Sequence, residues 1–254
     1  MRKHLRLFLS VFLDVFREDL GYHSASLTYQ FLTVIGSLFM LLGFASTYLP
    51  FLEPSRVYEY LQGILPSYAS VVFEKLMPLY KGRATGSLVS FILAYYFSLS
   101  FAKSLNTAFG FLYRKKPVER EIFFWVFMPL LILLYAGFLS LAVTLLTLSK
   151  SYFGGMFQRL AELLNFLLVL IMIIMIYSSY FRLRRSVFLS SILVALMLFL
   201  LNKFFSTIMV KLISASPMYS VLGSPLLFLV WLYYSFFCLL FGVRVVFRLD
   251  QPFK

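Results

Sequence analysis

From Leu167 to Ile176 the chain runs without a single polar side chain. That run lies inside a stretch long enough to cross the hydrocarbon of a bilayer, which takes about 20 residues of helix. Five more stretches match it, so the sequence predicts six spans at 27–49, 86–108, 122–147, 163–181, 186–209 and 222–247. Backbone groups find no water in hydrocarbon, so each span must close its own hydrogen bonds as a helix. Composition agrees. The chain is 61% hydrophobic and 13% charged, whereas a soluble domain is about half apolar and about a quarter charged. The 20% aromatic content excludes disorder. The predicted fold class is all-α: a polytopic membrane helix bundle with six transmembrane helices, residues 1–254 forming one integral membrane domain.

A formal net charge of +13 would suit a nucleic-acid binder, but in a membrane chain Lys and Arg collect in cytoplasmic loops. Their distribution follows that rule. With the N-terminus inside, fourteen fall on the cytoplasmic side, in groups around Arg2–Arg17, Arg114–Arg120, Arg182–Arg185 and Arg244–Lys254, and seven fall outside. The Arg182-Leu183-Arg184-Arg185 turn is too short to cross and too charged to sit outside. The expected topology has both termini cytoplasmic and residues 50–85 as the one long outer loop, with short amphipathic helices at Val57–Leu61 and Tyr68–Leu79.

The first residues do not read as a signal peptide, since Asp14 interrupts their apolar stretch and no small-residue cleavage site follows. Arg6, Ser10, Asp14 and Arg17 instead recur at helical spacing opposite Leu5, Leu9, Phe12 and Phe16. That pattern predicts an amphipathic helix, either lying in the cytoplasmic interface or packed on the inner face of the bundle.

Motifs for covalent or metal chemistry are absent: there is no P-loop, G-x-S-x-G, H-E-x-x-H or dinucleotide fingerprint. Cys238 is the sole cysteine, and His4 and His23 have no further ligands with which to hold zinc. We therefore expect no catalytic residue, no metal and no cofactor. No Asp or Glu lies inside a predicted span, which argues against a proton relay through the bilayer centre. The spans instead carry neutral polar stripes. Ser26, Gln30, Thr33 and Ser37 share one face of the first; Tyr96, Ser100, Lys103 and Thr107 share one face of the second, with Asn106 beside them; Ser191, Asn202 and Ser206 align on the fifth. Such stripes face the bundle interior, either as interhelical hydrogen bonds or as the wall of a hydrated cavity. In the sixth span Trp231, Ser235, Cys238 and Gly242 form a face with small residues suited to close helix packing.

Three segments carry a family resemblance. Tyr219-Ser220-Val221-Leu222-Gly223-Ser224, with Leu229-Val230-Trp231-Leu232-Tyr233 and Leu240-Phe241-Gly242, resembles the last helix of the YihY/BrkB family. Ala25-Ser26-Leu27-Thr28-Tyr29 is similar to its opening A-x-L-x-Y-Y segment, and Leu105-Asn106-Thr107-Ala108-Phe109 to its L-N-x-x-[YF] motif. The chain departs from the family in Gly242-Val243-Arg244, where members usually place an acidic residue, and in lacking a proline between Ile35 and Phe39. The resemblance implies a bacterial inner-membrane protein linked to envelope biogenesis and to transport of lipid or solute. Some relatives bear the name ribonuclease BN, but no cluster of carboxylates or histidines here supports nuclease chemistry.

The functional expectation is a non-enzymatic transporter of lipid or another anionic amphipathic envelope molecule, with membrane lipids as partners and no nucleic acid. A secondary solute or ion transporter and a non-transporting assembly scaffold are the alternatives. The candidate cavity residues are Gln30, Thr33, Tyr96, Ser100, Lys103, Asn106, Asn202 and Ser206. Lys103 either snorkels to the headgroups or joins Asn106 in contacting an anionic substrate at the cytoplasmic mouth.

Overall fold

The computed structural model describes residues 19–48, 87–114, 155–215 and 217–250. Their regular structure is entirely α-helical: α1 (Leu20–Tyr48), α2 (Ser87–Tyr113), α3 (Gly155–Tyr180), α4 (Arg185–Ala215) and α5 (Pro217–Asp250). Each helix contains, nearly whole, the first, second, fourth, fifth or sixth predicted span. The third span, the N-terminal amphipathic segment and the outer loop 50–85 lie outside the described residues. Arg185–Ile208 and Pro225–Asp250 are long and apolar enough to cross a membrane, and Phe166–Tyr180 is a shorter apolar segment.

The helices are held in an up-and-down arrangement, and α5 is the hub. It packs on α1, α2 and α4, while α1 also packs on α2, and α3 on α4. Contacts along their lengths fix the directions. His23 near the start of α1 lies 5.1 Å from Phe111 near the end of α2. The Tyr113 hydroxyl at the end of α2 and the Ser186 hydroxyl at the start of α4 both donate to Asp250 at the end of α5. Phe109 meets Tyr180, the last residue of α3, at 4.8 Å. Five helix ends therefore gather at one end of the bundle, which is also rich in arginine.

Local chemistry stops the helices there. Arg114 takes a left-handed conformation (φ 54°), and its N–H donates to Phe111 O at 3.1 Å, so it ends α2 as a left-handed C-terminal cap does. Between α3 and α4, residues 181–184 leave the helical path. The Arg184 carbonyl accepts from Val187 and Phe188 and starts the next helix.

The main apolar core lies toward this end and draws on all five helices, among them Leu20, Leu105, Ile173, Val194 and Leu240. A second cluster centres on Phe205, Phe228 and Leu232, with Phe31, Leu32 and Ile35 packed against it. The outer surface is apolar too. Ile192, Leu196, Leu200 and Phe204 are exposed at four-residue intervals along α4, as are Leu163, Leu167 and Ile171 along α3. Stripes of that kind suit acyl chains and would drive association in water.

Candidate functional site

The structure distributes the predicted cavity residues over three helices with different fates. On α1, the Thr33 hydroxyl donates to the Gln30 carbonyl at 2.7 Å, so it serves its own helix. The Gln30 side-chain oxygen, Oε1, is buried with no hydrogen-bond donor among the described residues. On α2, Asn106 is buried, Ser100 is half-buried, and Lys103 and Thr107 are exposed; Tyr96 is 62% exposed. The stripe thus mixes exposed Lys103 and Thr107 with buried Asn106. On α4, Asn202 and Ser206 are half-buried, and Asn202 Oδ1 is likewise buried without a donor among the described residues.

Gln30 precedes Phe31, and Asn202 follows Leu201; both of these neighbours pack on the second apolar cluster. Gln30 and Asn202 are therefore sequence neighbours of residues in one cluster to which α1, α4 and α5 all contribute. A carbonyl oxygen held from water without a donor costs about 1–3 kcal/mol. Each of these two oxygens keeps the capacity to accept a hydrogen bond.

At the arginine-rich end the polar groups are matched instead. The Tyr177 hydroxyl donates to Leu239 O at 2.6 Å, and the Ser190 hydroxyl to Gly242 O at 2.6 Å. Gly242 makes this approach feasible. A Cβ there would collide with the Tyr177 hydroxyl and a Val194 methyl, and would sit 3.1 Å from Ser190 Oγ. The small-residue face read from the last span is therefore a contact face at Gly242, and Cys238 is buried on it. Ser235 differs, since its hydroxyl returns to Trp231 O on its own helix.

Arg244 is counted with the C-terminal cytoplasmic group although it lies inside the predicted span 222–247, and it is fully buried within α5. Its Nη1 donates to Leu112 O at 2.9 Å, one of the last carbonyls of α2 and so without a partner in its own helix. The guanidinium also lies 4.5 Å from the centre of the Phe247 ring, a cation–π distance. A cation at a helix C-terminus is favoured by the helix dipole as well. Asp250 accepts from Tyr113 at 2.7 Å and Ser186 at 2.6 Å. Burial, then the hydrogen bond and charge of Asp250, push the Tyr113 hydroxyl up to about 12. Tyr180 Oη is the exception at this end, buried without a partner among the described residues. The sequence reading missed this network. Its available signal was an arginine inside the apolar run Val243–Phe247.

Among the described residues no group of His, Cys, Asp and Glu could hold a metal ion. Comparison with known proteins gives one decisive finding: the family described as Virulence factor BrkB matches residues 12–253. The chain belongs to the BrkB family. No curated protein and no solved structure matches it. The BrkB match and the apolar helices identify a membrane protein.

Proposed function

We propose that this BrkB chain is a non-enzymatic transporter of the bacterial inner membrane, moving lipid or another anionic amphipathic envelope molecule through a polar interior. In this reading one membrane domain spans six times, both termini and the arginine-rich end face the cytoplasm, and the partners are membrane lipids rather than nucleic acid. The orientation draws support from Arg114, Arg182, Arg184, Arg185 and Arg248 gathering at one end. The transport reading is carried by the buried, donorless oxygens of Gln30 and Asn202. A bundle that only had to hold together would be more stable with apolar side chains at both positions; a hydrated path needs such acceptors. Lys103 and Tyr96 are exposed, which suits either contact with lipid headgroups or a place at the mouth of the proposed path.

The test is translocation of a fluorescent phospholipid in liposomes carrying the full-length protein. The wild type is expected to move lipid, with or without a proton gradient. The pair Gln30→Leu and Asn202→Leu should slow it about tenfold, a barrier change of roughly 1.4 kcal/mol, while raising thermal stability. A scaffold is the second reading, favoured by the matched Tyr177, Ser190 and Gly242 contacts. Vesicles with protein that move no more lipid or solute than empty ones would select it.

A further inference from the structure

The turn between α3 and α4 holds more positive charge than reversing the chain requires. Arg182, Arg184 and Arg185 are all exposed, and none has a carboxylate within ion-pair distance among the described residues. A cavity of about 320 Å³ opens beside them, lined by Arg184, Arg185, Ser186, Leu189, Leu249 and Asp250. Asp250 already holds the hydroxyls of Tyr113 and Ser186, so its charge is turned inward. Among the lining residues Arg184 and Arg185 stand against that one carboxylate, with Arg182 exposed in the same turn, and the start of α4 adds the positive end of a helix dipole.

Leu189 and Leu249 supply the apolar part of the wall. Leu189 is 57% exposed, and Leu183 in the adjoining turn is 71% exposed, on a chain whose outer faces suit lipid. From Phe188 the exposed residues Ile192, Leu196, Leu200 and Phe204 continue along α4 away from the turn. A cationic mouth at the end of an apolar stripe matches one kind of molecule: a negatively charged headgroup joined to acyl chains.

We propose that this cavity seats the phosphodiester headgroup of an anionic phospholipid, with Arg184 and Arg185 on its phosphate oxygens and its chains along the exposed face of α4. The proposal rests on the membrane setting and not on transport, so a BrkB chain that moves nothing would still hold this lipid.

The test uses the full chain purified in neutral detergent, with lipid binding followed by native mass spectrometry and thermal shift. Phosphatidylglycerol is expected to bind at least about tenfold more tightly than phosphatidylcholine and to raise the unfolding temperature. Arg184→Gln with Arg185→Gln should weaken phosphatidylglycerol binding about 25-fold, about fivefold for each arginine near a headgroup. Arg184→Lys with Arg185→Lys keeps the charge of the turn, and hence its orientation, and should bind within about threefold of wild type because the attraction is of charge. Equal binding of the two lipids, wild-type binding by the Gln pair, or loss of binding in the Lys pair would each overturn the proposal. Displacement of phosphatidylglycerol by an equal concentration of inorganic phosphate would overturn it too, by showing a site for the free anion.

Discussion

Two regions of the bundle treat polar groups in opposite ways. Around Gly242, hydroxyls of α3 and α4 reach carbonyls of α5 across helix contacts too close for a Cβ. Around Phe205, Gln30 and Asn202 adjoin in sequence the residues of an apolar cluster, with their amide oxygens unmatched. The first arrangement is how helices are fixed together in lipid, where backbone proximity and interhelical hydrogen bonds replace the hydrophobic drive. The second leaves polar capacity for something else. Tyr180 Oη, unmatched beside Phe109, shows that the fixed end is not perfectly saturated. The contrast still separates a clamp from the region proposed as a path.

The sharpest way to break the comparison is to add one methyl group in each region. Gly242→Ala should cost about 3 kcal/mol or more, because overpacking alone costs about 1–3 kcal/mol and both interhelical hydrogen bonds shift with it. Gly36→Ala on α1 meets nothing within 4 Å and should be neutral or stabilising by up to about 1 kcal/mol, the helix preference of Ala over Gly. Thermal unfolding of the two variants in one detergent checks both. Equal destabilisation would remove the distinction between the regions.

Arg244 comes next. Arg244→Gln should lower stability by about 2–3 kcal/mol, since it leaves Leu112 O and the Phe247 ring without the cation. Arg244→Lys should recover less than half of that loss, because a lysine cannot both reach the carbonyl and stack its planar head on the ring. Chemical unfolding of the three proteins decides it; full rescue by Lys would reduce the role of Arg244 to bare charge.

How much of this could be read beforehand depends on how local the signal is. The five described helices were legible because their length and predominant apolarity are properties of single segments. The small-residue face at Cys238 and Gly242 was legible for the same reason. Arg244 was not, since its burial depends on the end of α2 reaching the side of α5, and a lone arginine near a terminus looks like a loop cation. The polar stripes were visible as stripes, but their use was not. Thr33, Thr107 and Thr207 return their hydroxyls to their own helices, whereas Gln30 and Asn202 do not satisfy their oxygens that way. Sequence spacing is identical in the two cases.

A smaller effect sharpens the fixed end. The folded Tyr113 hydroxyl titrates at about 12 against about 10 in an unfolded chain. Its contribution is therefore complete below pH 10 and fades as pH rises toward about 12, because the unfolded state releases its proton first. Tyr113→Phe should flatten the loss of stability between pH 10 and 12 while leaving the shape near neutrality unchanged. An identical alkaline profile in the variant would show that burial and Asp250 together do not hold the proton on this hydroxyl.

Water access along the two regions tests the central claim most directly. In a Cys238→Ser background, single cysteines at Gln30, Asn202 and Ser190 can be treated in membranes with a small water-soluble thiosulfonate. The account predicts that cysteines at positions 30 and 202 react and that the one at position 190, closed between α4 and α5, does not. Protection of both 30 and 202 under conditions that label an exposed control such as Leu183→Cys in the turn between α3 and α4 would contradict it, and the bundle would then be a closed scaffold.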